Sequence, residues 1–326
     1  MNLSALSANI KALDLSYKPA TSEAEQDYFR FYGLNFEEKI PHISHHFGHL
    51  ACGRFNIVSH YFENSHASET CFIVHGYFDH SGLYQHIIDY CLKRNFSVVI
   101  FDLPGHGLST GKQACIENFS DYQMVLKNIL DFFRDVAPKP WHAIGQSTGG
   151  AILMDFLLTE NTIAPKNTFD EAQAIFDKTI LLAPLIRPAN WRMTKIRHLF
   201  GQLFFKKLPR KFAINSHDQK FLAFLKNSDP LQSKYLSVAW VGALIKWVSY
   251  FHQLLPTQLL PAQFAPLIIQ GRNDQTVDWP YNITVIKKKF PEAAVFYVNE
   301  AGHQLVNETE SFRQSIFSAM DIYFDT

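Results

Sequence analysis

The chain has 326 residues, of which 47% are hydrophobic and 14% aromatic, and this composition excludes an intrinsically disordered protein. Basic and acidic residues both number 30, so the formal net charge is zero and gives no general attraction to nucleic acid. The first twenty residues lack the charged and apolar pattern of a signal peptide, and no apolar run reaches the ~18 residues of a spanning helix. A cytoplasmic protein is therefore expected.

The first predicted elements are two strands, residues 45–51 and 54–62, joined at Cys52-Gly53 as an antiparallel hairpin. Four histidines in this region have the spacing of one helix face, which on a helix could bind a metal ion. They are His42, His45, His46 and His49. On a strand they would be divided between opposite faces, so no metal site is expected. The cysteines also lack metal-site spacing, and with no export signal reduced thiols are expected; they are Cys52, Cys71, Cys91 and Cys115.

Short apolar runs that alternate with helical patterns follow the hairpin. The runs predict buried parallel strands covered on both faces, at 71–74, 98–101, 179–182, 267–269 and 295–298. Helices are predicted around 84–92 and 119–133, and a closing helix around 312–320. This alternation is typical of βαβ units.

The segment WHAIGQSTGG at 141–150 combines a short strand, a tight turn at Ser147 and the start of a helix. This is the pattern of a nucleophile elbow, in which Gly145 and Gly149 leave room for a sharp turn that exposes the serine hydroxyl. The alternative is an ordinary serine in a glycine-rich loop. The strand before Ser147 and the helix after it favour the elbow.

A serine nucleophile needs a histidine base, and the base needs a carboxylate that orients it. Asp274 follows the predicted strand 267–269, and His303 follows the predicted strand 295–298. Both lie where the carboxyl ends of parallel strands meet, and the order Ser, Asp, His is that of an α/β-hydrolase. Asp278, four residues after Asp274, competes for the same role or caps a helix at Trp279.

The elbow also predicts an oxyanion hole made of two backbone N–H groups. One belongs to Thr148, the residue after the nucleophile. The other belongs to Tyr77, in the loop that begins at His75. His75 and His80 flank this loop and are expected to hold it in place by hydrogen bonds.

Roughly eighty residues separate the strands at 179–182 and 267–269, far more than an ordinary connection. The sequence therefore predicts the α/β-hydrolase fold: a mostly parallel eight-stranded sheet with helices on both faces and a helical cap inserted after strand 6. The predicted domains are a first core part at 1–185, a cap at 186–260 and a second core part at 261–326. Below, residues 186–260 are called the cap segment.

The cap segment is rich in aromatic residues and carries twelve basic residues against only two acidic ones. In one interpretation the aromatic residues form the core of the cap and the lysines its solvated face. In the other, the segment makes peripheral contact with an anionic membrane. Substrate-binding side chains are expected somewhere within it.

Three segments together resemble the monoacylglycerol lipase and lysophospholipase family, serine hydrolases of the S33 aminopeptidase type in the α/β-hydrolase superfamily. They are HGYFDHSGLY at 75–84, FDLPGHGLSTG at 101–111 and GQSTGG at 145–150, against HGxxEHSxRY, DxxGHGxSxG and GHSMGG in the family. GRND and AGH near the end extend the similarity. Four positions depart from the family pattern: Asp79, Leu83, Gln146 and Thr148.

The resemblance implies a serine hydrolase that acts on esters of single-chain lipids, a lysophospholipid or a monoacylglycerol, without a cofactor or metal. By matching position it selects the same residues as the reasoning above: Ser147, Asp274, His303, Tyr77 and Thr148. Two alternatives use the same triad: a short-chain carboxylesterase, and an acyltransferase or perhydrolase. A binding scaffold without activity is disfavoured, because all three triad positions are filled.

Overall fold

An eight-stranded, mostly parallel sheet forms the centre of the computed structural model, which describes residues 2–16, 21–160, 162–163, 173–256 and 265–326. The strands of this sheet are β1 (Ile43–Cys52), β2 (Phe55–Asn64), β3 (Glu69–Val74), β4 (Phe96–Phe101), β5 (Trp141–Gln146), β8 (Lys178–Leu182), β11 (Leu267–Gly271) and β12 (Ala294–Val298). The short strands β6 (Thr162–Ile163) and β7 (Gln173–Ala174) pair separately. The order across the sheet is β1-β2-β4-β3-β5-β8-β11-β12, and only the β1–β2 and β2–β4 pairs are antiparallel.

The predicted strands all occur, and most extend one or two residues beyond their predicted bounds. The hairpin turn lies at Gly53, whose positive φ of 57° favours glycine. One expectation was wrong: strand 295–298 is not covered on both faces, and much of β12 is partly exposed. The reason is its position, because β12 ends the sheet and has a neighbour on one side only.

Ten α-helices occur in the described residues. They are α1 (Leu3–Asn9), α2 (Glu23–Tyr32), α3 (Gln85–Lys93), α4 (Ser120–Phe133), α5 (Thr148–Thr159), α6 (Trp191–Gly201), α7 (Gln219–Asn227), α8 (Val238–Gln253), α9 (Trp279–Lys289) and α10 (Glu310–Phe324). Alternate residues of β3 pack into different cores: Phe72 and Val74 lie with α4 and α5, and Cys71 and Ile73 lie with α3 and α10. Helices therefore cover both faces of the sheet, as expected for the α/β-hydrolase fold.

The described part of the cap segment contains α6, α7 and α8. It also contains a two-stranded antiparallel sheet, β9 (Lys207–Pro209) and β10 (Tyr235–Ser237), which the sequence did not predict. The predicted end of the segment, at residue 260, lies outside the described residues. Its role as a separate domain stays a prediction. Among the described helices, none combines the length and apolar character that crossing a bilayer requires.

A buried pair of a histidine and a carboxylate joins the cap segment to the loop after β3. His80 Nε2 lies 3.0 Å from Asp229 Oδ2, and both side chains are almost fully buried. The other oxygen of Asp229 accepts hydrogen bonds from the Tyr32 hydroxyl at 2.7 Å and the Leu231 amide at 3.1 Å. Burial alone would lower the pKa of His80, but its hydrogen bond to Asp229 and the nearby carboxylates raise it. Burial would raise the pKa of Asp229, but His80 lowers it.

Replacing Asp229 with Asn is expected to lower the free energy of unfolding by about 3–5 kcal/mol, because His80 loses its buried counter-charge. The contribution of this pair to the free energy of unfolding depends on pH. Because the pKa of His80 is raised, the contribution is complete below about pH 6.5 and is lost as the pH rises through that pKa. Because the pKa of Asp229 is lowered, the same contribution is present above about pH 3.9 and is lost as the pH falls through the pKa of Asp229. The unfolding temperatures of the native protein and of Asp229→Asn should therefore differ more at pH 5 than at pH 9.

Asp131→Asn is the matched control, since Asp131 pairs with Arg134 on the exposed surface. Its effect should stay within about 0.5 kcal/mol at either pH. Equal, small effects of the two substitutions would contradict a stabilising role for the buried pair.

Candidate active site

Ser147 lies in the turn between β5 and α5 with a strained backbone. Its φ of 53° and ψ of −107° are rare for a residue with a side chain. Neighbouring chain fixes this conformation: the Ser147 amide donates to the Leu182 carbonyl at 2.8 Å, and its carbonyl accepts from the Leu185 amide at 3.0 Å. The predicted elbow is therefore present as a strand, a sharp turn and a helix.

The two glycines of the elbow lie where side chains do not fit. A Cβ at Gly145 would approach the Gly149 carbonyl carbon to 2.6 Å, and one at Gly149 would approach the Val74 carbonyl oxygen to 1.9 Å. Both contacts are with backbone, which cannot rotate away. The close packing of β3, β5 and α5 thus depends on glycine at these positions.

Gly149→Ala is expected to lower the free energy of unfolding by about 3 kcal/mol or more, because the new methyl group overlaps the backbone of β3. Chemical denaturation measures the change. Gly201→Ala serves as the control, since no atom lies within 4 Å of a Cβ at that helical position. A Gly149→Ala protein as stable as the Gly201→Ala protein would show that the elbow tolerates a side chain.

The three residues predicted as a triad form one chain of hydrogen bonds. His303 Nε2 lies 3.0 Å from Ser147 Oγ, and His303 Nδ1 lies 2.7 Å from Asp274 Oδ2. Asp274 follows β11 and His303 follows β12, so neighbouring strands bring both to the elbow. All three residues are buried beyond 90%. The arrangement can move a proton from Ser147 to His303 while Asp274 holds the imidazole ring.

Asp274 is held on both oxygens. Oδ1 accepts from the amides of Thr276 at 2.8 Å and Val277 at 3.2 Å, and Oδ2 accepts from Gln270 Nε2 at 3.1 Å as well as from His303. Burial would raise the pKa of Asp274, but the charge and hydrogen bond of His303 and the two amides lower it. The carboxylate is thus ionised at neutral pH.

The pKa of His303 is shifted in the opposite direction. Burial would lower its pKa, but the charge and hydrogen bond of Asp274 and the charge of Asp79 raise it above its ordinary value. A raised pKa makes the imidazole a stronger base towards the Ser147 hydroxyl. It also stabilises the imidazolium that forms when the proton is accepted.

The competing carboxylate, Asp278, lies in a different interaction. Its Oδ2 accepts from Arg187 Nη2 at 2.7 Å and from Nε at 3.0 Å, and it is the N-cap residue of α9. The structure therefore joins Asp274, and not Asp278, to His303. The sequence alone left these two alternatives open.

The two predicted oxyanion donors flank the nucleophile. Thr148 is the first residue of α5, directly after Ser147. Tyr77 follows Gly76, where a Cβ would come within 3.4 Å of the Ser147 Cβ. Within the described residues, neither amide N–H donates a hydrogen bond to another group of the chain. Both donors are therefore available to an oxygen that develops charge beside Ser147.

His75 holds this loop, as expected. Its Nε2 accepts from the Leu103 amide at 2.9 Å, which leaves Nδ1 to donate to the Gly76 carbonyl at 2.7 Å. Both ring nitrogens are used in the neutral form, and burial lowers the pKa of His75. His80 also holds the loop, as expected, because its hydrogen bond to Asp229 joins the loop to the cap segment.

Four side chains support the site: Gln146, Asp79, Gln270 and Gln304. Gln146 and Asp79 are two of the departures from the family pattern, whereas the sequence did not single out Gln270 and Gln304. Gln146 Nε2 donates to the His303 carbonyl at 2.8 Å, and Gln304 Nε2 donates to Asp79 Oδ1 at 2.9 Å. Asp79 Oδ2 accepts from the Tyr84 hydroxyl at 3.0 Å. Together with Gln270, these side chains link the elbow, the oxyanion loop and the loop that carries His303. The available signal was adjacency, since Gln146 precedes Ser147 and Gln304 follows His303.

Comparison with known proteins finds relatives of this chain. Residues 65–310 match the family described as Serine aminopeptidase, S33. The human monoglyceride lipase is 25% identical over 262 residues, which cover 77% of this chain and 80% of that protein. Phospholipase YtpA of Bacillus subtilis is 22% identical over 272 residues, covering 78% of this chain and 93% of the relative.

The fold also matches solved structures. A soluble variant of monoglyceride lipase from Saccharomyces cerevisiae, in complex with a substrate analogue, superposes with a TM-score of 0.68 at 16% identity. The match covers 85% of this chain and 94% of that one. The family match spans well over half of the chain. The protein therefore belongs to the serine aminopeptidase S33 family and is a hydrolase with the α/β-hydrolase fold.

Proposed function

We propose that the protein hydrolyses carboxylic esters of single-chain lipids, a lysophospholipid or a monoacylglycerol, through an acyl-enzyme on Ser147. The observation that carries the proposal is the unbroken hydrogen-bonded chain from Ser147 Oγ through His303 to Asp274. No cofactor or metal takes part in this chemistry.

In the first half-reaction, His303 Nε2 accepts the Ser147 proton while Ser147 Oγ attacks the ester carbonyl carbon. The carbonyl oxygen becomes an oxyanion, which the amides of Tyr77 and Thr148 stabilise. His303 then donates its proton to the departing alcohol as the ester bond breaks. Asp274 keeps the imidazole in the required tautomer throughout.

In the second half-reaction, water replaces the alcohol. His303 takes a proton from the water, whose oxygen attacks the acyl carbon and forms a second oxyanion. Collapse of this intermediate breaks the bond to Ser147 Oγ, which recovers its proton from His303. The products are the free acid and the resting enzyme.

Two kinds of support point to a lipid substrate. The relatives named above are a monoglyceride lipase and a phospholipase. In addition, helix α6 has no buried residue, although it carries large apolar side chains. Those at the end of α6 and just beyond it are more than half exposed: Leu199, Phe200, Leu203, Phe204 and Phe205. Exposed apolar surfaces mark contacts with proteins or with membranes, and the lipid substrates of these relatives favour a membrane.

We further propose that this surface contacts anionic membrane. Exposed basic side chains lie on α6 and shortly after it in the chain, including Arg192, Lys195, Arg197 and Lys211. Such a mixture favours the interface of an anionic bilayer. Arg210 does not belong to this set: its guanidinium lies 4.0 Å from the centre of the Phe78 ring, beside the oxyanion loop.

Fatty-acid release by the purified protein tests the substrate class. The panel contains a lysophosphatidylcholine and a monoacylglycerol with the same acyl chain, and a short p-nitrophenyl ester. Release from either lipid that is lost with Ser147→Ala is the expected result. Release from the short ester alone would replace the proposal with a small-molecule esterase. Transfer of the acyl group to an added alcohol in preference to water would make the protein an acyltransferase.

A further inference from the structure

A cavity of about 750 Å³ lies between the amino end of α8, the β9–β10 sheet and the loop at 112–117. Its volume is within the range of small-molecule sites, about 300–1,000 Å³. None of the triad residues lines it, nor does either oxyanion donor. Four lysines do: Lys112, Lys206, Lys207 and Lys246.

The charge of this cavity is strongly one-sided. Glu117 is the single acidic residue among the described residues that line it. In the described part of the chain, none of the four ammonium groups makes an ion pair with a carboxylate, and Lys207 Nζ lies 4.3 Å from the centre of the Tyr235 ring. Like charges in a concave site repel one another and concentrate a positive potential. An anion that enters the cavity relieves this repulsion.

Neutral hydrogen-bonding groups share the walls with the lysines. Gln113 and Gln202 contribute amides, and Tyr235 contributes a hydroxyl. Ser237 is the N-cap of the 16-residue helix α8, so the positive end of the helix dipole lies at the same wall. These groups can complete the hydrogen bonds of a multivalent oxyanion.

Hydrogen bonds join two walls of the cavity to the core and to each other. The Ala114 amide donates to the Gly105 carbonyl at 2.7 Å, which anchors the loop at 112–117 to the core. The Tyr77 hydroxyl donates to the Ala114 carbonyl at 2.7 Å and accepts from the Ser237 amide at 3.3 Å. It therefore ties the loop to the start of α8. A preformed site loses little conformational entropy on binding.

We propose that this lysine cavity binds the phosphate group of an organic phosphate. Several lysines that line one cavity suit a doubly charged, compact anion, because lysine binds phosphate as a point charge. Phe205, Val238 and Ala243 form an apolar part of the lining, which gives room for the organic part of the ligand. The site is separate from Ser147, and the proposal does not depend on the ester hydrolysis.

Titration calorimetry on the whole 326-residue chain with Ser147→Ala tests the proposal without turnover. The probes are inorganic phosphate, glycerol 3-phosphate, and a lysophosphatidic acid paired with the monoacylglycerol of the same acyl chain. The test variant adds Lys206→Gln and Lys207→Gln. The control adds Lys220→Gln and Lys226→Gln, which remove two exposed lysines of the cap segment that do not line the cavity.

We expect the Kd of glycerol 3-phosphate, of lysophosphatidic acid, or of both to rise about tenfold or more in the test variant and little in the control. The affinity for monoacylglycerol should be the same in both variants. If glycerol 3-phosphate and lysophosphatidic acid both bind, a soluble organic phosphate is sufficient as the ligand. If only lysophosphatidic acid binds, the ligand is the phosphate head group of a lipid. The proposal is overturned if no phosphate probe binds, or if test and control variants lose the same affinity. Thermal unfolding of both variants checks that they are folded.

Discussion

Replacing Ser147 with Ala is expected to lower kcat for ester hydrolysis by on the order of 10⁶-fold. The substitution removes the atom that forms the acyl bond, and no other hydroxyl hydrogen-bonds to His303 Nε2 among the described residues. What remains is the slow attack of water assisted by the oxyanion donors. The loss should appear in kcat, since the rest of the site still binds the ester.

Ser249→Ala is the matched control for this prediction. Ser249 lies on the exposed side of α8, and its hydroxyl donates only to the Ile245 carbonyl of its own helix. Its kcat should equal that of the native protein. If the Ser147→Ala protein kept about a tenth of the native kcat, Ser147 would not be the nucleophile.

Replacing Asp274 with Asn is expected to lower kcat by about 10⁴-fold. The amide keeps the shape of the side chain but no longer stabilises the imidazolium or the tautomer that presents a free Nε2 to Ser147. Binding of the ester should change little, because Asp274 contacts His303 and the chain around it.

The pH dependence gives a second readout for this substitution. Burial lowers the pKa of His303 while Asp274 raises it, and the net pKa is raised. Since the base must be neutral, kcat/KM of the native enzyme should increase as the pH rises through this pKa, above about 6.5. Without the carboxylate the pKa falls, so the rise in kcat/KM should shift to lower pH in Asp274→Asn.

Asp278→Asn separates the two carboxylates that compete in the sequence. Asp278 pairs with Arg187, so its loss is expected to leave kcat and the pH profile close to native. A collapse of activity with Asp278→Asn and a near-native Asp274→Asn would reverse the assignment of the orienting residue.

The sequence predicted the fold and the central site because both depend on local patterns. The strand, the turn and the start of the helix around Ser147 are contained in ten residues, and apolar runs mark each parallel strand. Asp274 and His303 follow two of those strands directly. The strand ends of a parallel sheet then bring the three residues together without any further information.

What the sequence did not reveal depends on contacts between distant segments. The pair His80 and Asp229 joins residues 149 positions apart, and nothing in either neighbourhood predicts it. The choice between Asp274 and Asp278 was settled by Arg187, which lies about ninety residues upstream. The β9–β10 sheet was missed because strands of three residues carry too few side chains to show an alternating pattern.

Detection of the acyl-enzyme is the most direct test of the proposed mechanism. The native protein is mixed with a saturating monoacylglycerol or p-nitrophenyl ester and quenched in acid within its first turnovers. Intact-mass measurement and peptide mapping then locate any adduct. The proposed mechanism predicts one acyl group on the peptide that contains Ser147, and no adduct in Ser147→Ala. Turnover without an adduct on Ser147, or with the acyl group on another residue, would contradict it.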